Sequence, residues 1–439
     1  MPSFAAPLAS RTPAFCAIDF GTSNSAIAIP VAEGMALVEL EPGRRTMPTA
    51  VFYQVEGLAA HEEAQRLYGR EALAAYVQGY EGRLMRSMKS ILGSALAEQS
   101  TDVGAGRSVR YLDVVGGYLQ RLKTLAERAA GQPLERAVLG RPVYFVDDDP
   151  ARDAQAQQAL ESAARAVGLR ELSFQYEPIA AALDHEQRVA REELVLVADI
   201  GGGTSDFSLV RVGPERRRRL ERKDDILASH GVHVAGTDFD RHVELAAILP
   251  ACGHRGLGPN RPGSTPREVP SRVYFDLATW HLINTVYAPQ RVAELRRMRE
   301  FYADPAQHRR LMTVVEAQLG HALLGQAEAA KIAVAEGGAT VIDLGRLERG
   351  LQSSLHEAEA VRVLDGDMQR IVDAALETLR RAGVATDAVD AVYFTGGSTG
   401  FRPLTERIAA ALPAARALHG DRDASVAQGL GLHAQRLFG

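Results

Sequence analysis

The chain has 439 residues, 46% of them apolar and 24% charged, and a formal net charge of −5. At about 100–200 residues per domain that length predicts two lobes or more around a large core, and the near-average composition excludes a disordered chain. The mild acidity leaves no basic footprint for nucleic acid, and no run approaches the ~18 apolar residues of a membrane span.

Met1 to Pro13 carries one Arg and no apolar stretch resembling a signal segment, so a cytoplasmic location is expected. Two cysteines occur, Cys16 and Cys252; His254 lies near the second, but no further pair completes a zinc site, and a reducing compartment fits. From Ala14 to Ile29 two short strands flank the turn Asp19-Phe20-Gly21-Thr22-Ser23. Ala50 to Val55 reads as another strand. Arg83 to Leu92 reads as a helix with Leu84, Met88, Ile91 and Leu92 on one face. Helices are predicted at Tyr111–Ala130 and Asp153–Val167 around an apolar strand, Ala137–Phe145.

The strand, turn, strand pattern returns at Leu194 to Val212, around Asp199-Ile200-Gly201-Gly202-Gly203-Thr204-Ser205-Asp206. The two copies lie about 180 residues apart, a domain-sized interval rather than a solenoid period. The basic run Arg216–Arg219, followed by Glu221, Asp224 and Asp225, reads as a solvated hairpin tip. A strand over Ile226–Val234, a loop over Gly253–Pro270 and a long helical region over Ala306–Ala335 follow. A short strand at Ala391–Phe394 and helices at Arg402–Ala411 and Ser425–Leu437 complete the chain. Strands alternating with helices in two related halves predict a duplicated α/β fold.

A strand that ends in Asp and turns through Gly and hydroxyl residues suits a phosphate. Glycines let backbone N–H groups approach the oxygens, the hydroxyls add donors, and the Asp can hold a hydrated Mg2+. Asp19-Phe20-Gly21-Thr22 alone also describes an ordinary turn. Three consecutive glycines, Gly201 to Gly203, are costly in a hairpin unless something approaches the backbone closely. Two such loops can clamp opposite sides of one polyphosphate. A third Gly-rich turn, Thr395-Gly396-Gly397-Ser398-Thr399, brings a strand to a helix start and suits a flat ligand. No Gly-x4-Gly-Lys-[Ser/Thr] is present, which excludes a P-loop.

Asp19 to Asn24, Asp199 to Asp206 and Gly396 to Thr399, in that order, resemble the two phosphate loops and the adenosine loop of the actin, Hsp70 and sugar kinase superfamily. Glu177-Pro178-Ile179-Ala180-Ala181-Ala182, Ala235-Gly236-Thr237-Asp238-Phe239-Asp240, Lys89-Ser90-Ile91-Leu92-Gly93 and Pro142-Val143-Tyr144-Phe145 are similar to Hsp70 segments in particular, although Arg141 stands where that family has Val. The resemblance implies a duplicated ribonuclease H-like, actin-like ATPase fold. Residues 1–191 would form lobe I and 192–421 lobe II around a nucleotide cleft, with 422–439 returning as a helix to lobe I.

In that likeness ATP or ADP is the ligand and Mg2+ the metal. Asp19, Asp199 and Asp206 hold the metal through water, and Gly21, Thr22, Ser23, Asn24, Gly201, Gly202, Gly203 and Thr204 hold the phosphates. Lys89 and Glu177 place the attacking water, with Asp199, Thr204 and Asp206 in the catalytic set. Glu328, Lys331, Gly396, Gly397, Ser398 and Asp423 contact the nucleoside end. Glu177 has a plainer role open to it, since a Glu beside Pro178 at a helix start also stabilises the helix dipole. The family usually has Ser where this chain has Ala335, and often a basic residue where it has Gly400.

The likeness ends at Asp423 to Leu432, with seven residues left. An Hsp70-like protein without a peptide-binding domain is therefore expected, with slow Mg2+-dependent ATP hydrolysis and protein clients or a co-chaperone as partners. Two readings of the same fold stay open, a small-molecule kinase and a nucleotide switch without turnover. A serine hydrolase built on Gly396-Gly397-Ser398-Thr399-Gly400 would need its acid and His within the last 39 residues and leaves both aspartate loops unexplained.

Overall fold

The computed structural model describes residues 14–58, 62–94, 96–146, 149–260, 265–421 and 424–439. Its frame is two sheets with one shared topology. In the first, the hairpin Ala14–Phe20 and Asn24–Val31 is extended on one side by Gly34–Leu37 and on the other by the parallel strands Leu134–Arg141 and Glu171–Tyr176. In the second, the hairpin Glu193–Ile200 and Ser205–Val212 is extended by Ile226–Val232 on one side and by the parallel strands Ala391–Thr395 and Arg416–His419 on the other. Central strands covered on both faces read as near-continuous apolar runs. Cys16 to Ile18 and Val195 to Ala198 are buried accordingly.

The two sheets meet through a shared core. Phe15, Ala17, Ala28 and Val138 of the first and Val195, Val197, Val210 and Tyr393 of the second enclose the helices Glu177–Glu186 and Ser425–Phe438. These helices cross so closely that a Cβ on Gly429 would lie 1.8 Å from the Ala180 carbonyl oxygen. The last helix also packs on Ala14–Phe20, Leu134–Arg141 and Gly34–Leu37 of the first sheet. The two larger of the remaining cores lie one on each side, around Phe20, Tyr118 and Leu122 and around Phe239, Tyr274 and Met368, and a small one surrounds Phe52.

Most elements fall where periodicity puts them, and the helices Tyr111–Ala130 and Arg402–Ala411 match residue for residue. The expected helix Arg83–Leu92 is instead a strand, Gly82–Arg86, followed by a 3-10 turn, Met88–Ile91. Leu84 and Met85 point to opposite faces and both find apolar cover, against the clusters of Phe52 and Val51, so two-sided burial imitates a helical repeat. Ser87, at φ 53°, then turns the chain. The expected helix Ala306–Ala335 is two, Pro305–Glu316 and Gly320–Ala333, broken at Gln318 with φ 52°. The strand Leu134–Arg141 stops at Pro142, which has no N–H for the ladder.

The basic run is only partly a solvated tip. Arg216 is drawn down onto Glu192 and Asp225, and Arg222 beyond it is buried between Glu186 and Asp225. Among the described residues no helix is long and apolar enough to cross a membrane.

Candidate functional site

The two hairpin turns open into one cleft of about 2600 Å3 between the sheets. That exceeds the ~300–1,000 Å3 of an ordinary small-molecule pocket. In the first turn a Cβ on Gly21 would fall 2.1 Å from the Asn24 carbonyl oxygen, so only glycine closes it. Thr49 pins this loop: its hydroxyl donates to the Gly21 carbonyl at 2.8 Å, and its N–H donates to the Ser23 carbonyl at 2.9 Å. The second turn is closed by Gly201 N–H to the Thr204 carbonyl at 2.9 Å. It is held from behind by Thr237, whose N–H and hydroxyl both donate to the Gly202 carbonyl at 2.8 Å. The turns face one another: Ser23 Oγ is 3.1 Å from where a Cβ on Gly202 would stand.

Asp199 and Asp206 are direct partners across the second hairpin, and the Thr204 hydroxyl donates to Asp206 at 2.8 Å. Lys89 reaches Glu177 at 2.5 Å. Glu177 opens its helix, with Pro178 in the first turn, so the helix dipole and the site draw on the same side chain.

The third glycine turn is tied to the second. Ser398 donates its hydroxyl to the Gly201 carbonyl at 2.6 Å, and a Cβ on Gly396 (φ 87°) would lie 2.4 Å from the Ile200 carbonyl. Gly396 precedes a short 3-10 turn, Gly397–Gly400, and the helix starts only at Arg402. Glu328 and Lys331 share the cleft-facing side of one helix but do not pair with each other. Lys331 instead reaches Asp240 at 2.6 Å. Asp423 lies outside the described residues.

The cleft floor is electrostatically unfinished. Burial, then the neighbouring Glu177 and Asp199 charges, pushes Asp19 up to about 8 against the opposing pull of Lys89. Burial, then Asp206 and Glu177, pushes Asp199 up to about 7. Asp206 opens to solvent through the cleft, yet it too is raised by desolvation, while Thr204 works against the shift. Burial alone would lower Lys89, but Glu177, Asp19 and Asp199 outweigh it and raise it above the usual lysine value.

Four carboxylates around the Lys89 ammonium therefore fit an added cation. Among the described residues no three His, Cys, Asp or Glu side chains converge to ligate an ion directly. A cation here would be held through its water shell, as suits Mg2+, which dehydrates reluctantly.

The sequence profile of the Hsp70 protein family matches residues 15–245, slightly more than half of the chain. The chain belongs to the Hsp70 family. It is also similar to the chaperone protein DnaK of Mycoplasmoides gallisepticum, at 28% identity over 228 residues, which are 52% of this chain and 34% of that protein. The matched stretch thus spans about a third of the relative's length. As in the Hsp70 family, the paired sheets and their cleft form an actin-like ATPase fold. The profile match takes in both phosphate-type loops, Lys89, Glu177 and the Gly236–Asp240 segment. The third glycine turn and Lys331 lie beyond it.

Sequence reading passed over the groups that hold these loops. Thr49 is a lone Thr in a strand-like context and gives no local signal. Asp240 sat within a segment already quoted, but nothing there said that it would take the Lys331 ammonium. The mouth of the cleft was missed altogether: Tyr76 and Trp280 stack at 5.0 Å, Arg86 lies 4.3 Å over the Trp280 ring, and His321 packs 4.8 Å from it.

Proposed function

We propose that this Hsp70-family chain binds ATP with Mg2+ in the cleft, hydrolyses it slowly, and uses the change between ATP and ADP to move its lobes for a chaperone-type task in the cytoplasm. The lobes are taken as residues 1–191 and 192–421, with the final helix returning to the first. The observation that carries this reading is the approach of Ser23 to Gly202 above the carboxylates, which gives two backbone-lined loops one shared polyphosphate.

Gly21 to Asn24 and Gly201 to Thr204 cradle phosphate oxygens with N–H and hydroxyl donors. Asp19, Asp199 and Asp206 accept hydrogen bonds from the metal's water shell, and Gly396, Gly397, Ser398, Glu328 and Lys331 line the nucleoside end. When bound, Mg2+ neutralises charge on the β- and γ-phosphates. Lys89 adds positive charge on the γ side and, with Glu177, orients a water for in-line attack. Water adds at the γ-phosphorus, the bond to the β-bridging oxygen breaks with its electron pair going to ADP, and the water's proton ends on the phosphate product. The chemistry asks mainly for positioning and charge neutralisation, which this set of groups supplies.

The test is phosphate release by the purified chain with ATP, with and without Mg2+, an unfolded client and a panel of sugars. Slow Mg2+-dependent turnover is expected, indifferent to sugars and lowered at least tenfold by Asp206→Asn, the scale of losing one charge-stabilising group. Sugar phosphorylation would move the chain to the kinases, and tight binding with no turnover would make it a switch without hydrolysis.

A further inference from the structure

The nucleoside end of the cleft runs between the end of the helix Gly320–Ala333 and the turn Gly396–Phe401. Its side-chain donors are already engaged. The Ser398 hydroxyl donates to the Gly201 carbonyl at 2.6 Å, the Thr399 hydroxyl to the Gly396 carbonyl at 2.7 Å, and Lys331 holds Asp240 at 2.6 Å. The nearby Arg402 is bound to Glu357 at 3.0 Å.

What faces the opening is apolar or bare: Ala335, Gly400 and above all Ile332, which is 62% exposed and lines the cleft. An aliphatic side chain so exposed on the wall of a binding cleft has apolar area to lose to a flat ring, at about 25 cal/mol per Å2.

We infer that Ile332 and the bare turn at Gly400 form a stacking slot that takes purine nucleoside triphosphates with little distinction between adenine and guanine. The inference rests on the nucleotide-binding reading above. It follows from how sites discriminate: buried groups built to hydrogen-bond one substrate reject its analogue by about 10^4 or more, whereas apolar walls separate analogues by about 10- to 200-fold. Here the side-chain donors are spent inside the protein, so recognition falls to the second kind of wall.

Competition binding of Mg2+ complexes of ATP, GTP, CTP, UTP and inorganic tripolyphosphate to the full chain and to Ile332→Glu tests this. GTP is expected to bind within about tenfold of ATP, and both more tightly than CTP or UTP, whose rings cover less of Ile332. Ile332→Glu, at an exposed position, is expected to weaken ATP and GTP together several-fold and to leave tripolyphosphate unchanged. A preference for ATP over GTP of about 1,000-fold or more overturns the inference while leaving nucleotide binding intact, and so does an Ile332→Glu variant with unaltered ATP and GTP affinity. Failure of every nucleotide and of tripolyphosphate to bind overturns the inference and the proposed function together.

Discussion

The floor and the mouth of the cleft hold the lobes together by opposite means. At the floor, Lys89 and Glu177 face Asp199 and Asp206, and burial, helped by the neighbouring carboxylates, leaves Asp19 and Asp199 raised to about 8 and about 7. At the mouth, Tyr76 and Arg86 pack on Trp280, with His321 beside them, and burial with the Arg86 charge lowers His321 to about 4. The floor calls for a cation, and the mouth already holds one in Arg86.

The sharpest way to break that contrast is at the floor. Lys89→Ala strands the half-buried Glu177, and removing one partner of such a pair is expected to cost about 3 kcal/mol in urea unfolding, most of it restored by adding Glu177→Gln. If the double variant is no better than the single one, the pair does not act as a unit. Asp199→Asn is expected to lower Mg2+-dependent turnover about 100-fold and yet to raise the melting temperature of the ligand-free chain at pH 8. The sign follows from the raised pKa. An acid lifted by folding stabilises fully below its unfolded value near 3.8, and that contribution is lost as the pH rises through the folded value, about 7 here. A variant that loses stability at pH 8 would contradict the picture of a floor awaiting its cation.

Effects at the mouth should be smaller. Trp280→Ala removes a ring stack and a cation–π contact, each worth about 1 kcal/mol. Stopped-flow release of a fluorescent ADP should then be up to about tenfold faster, with little change in single-turnover hydrolysis; an unchanged release rate would detach the mouth from ligand exit.

The pH response there should run the other way from the floor. His321 is lowered by folding, so its contribution is present above the unfolded value of 6.5 and is lost as pH falls towards 4. About 1 kcal/mol is expected once solvent access through the cleft is discounted. Trp280 is the chain's single tryptophan, so its fluorescence reports this loosening directly. A signal flat between pH 7 and 4.5 would remove His321 from the closure.

Which of these regions could be read from the chain alone divides along the same line. Asp19 to Asn24 and Asp199 to Asp206 advertise themselves because strand, aspartate, glycine and hydroxyl are consecutive. Lys89 is legible only through a resemblance, and its surroundings imitate a helix because Leu84 and Met85 find apolar cover on opposite faces of a strand. Trp280 carries no pattern at all, since its partners Tyr76 and Arg86 stand about 200 residues away.

Local order along the chain therefore determined the hairpins, the duplication and the phosphate-type turns, since strand period and turn chemistry act between neighbours. Tertiary structure alone decided that Ser23 meets Gly202, that Lys331 turns to Asp240 and Ser398 to Gly201, and that an aromatic stack closes the mouth. Those pairings depend on how the two sheets dock, and docking is set by the whole shared core around Gly429 and Ala180 rather than by any one segment.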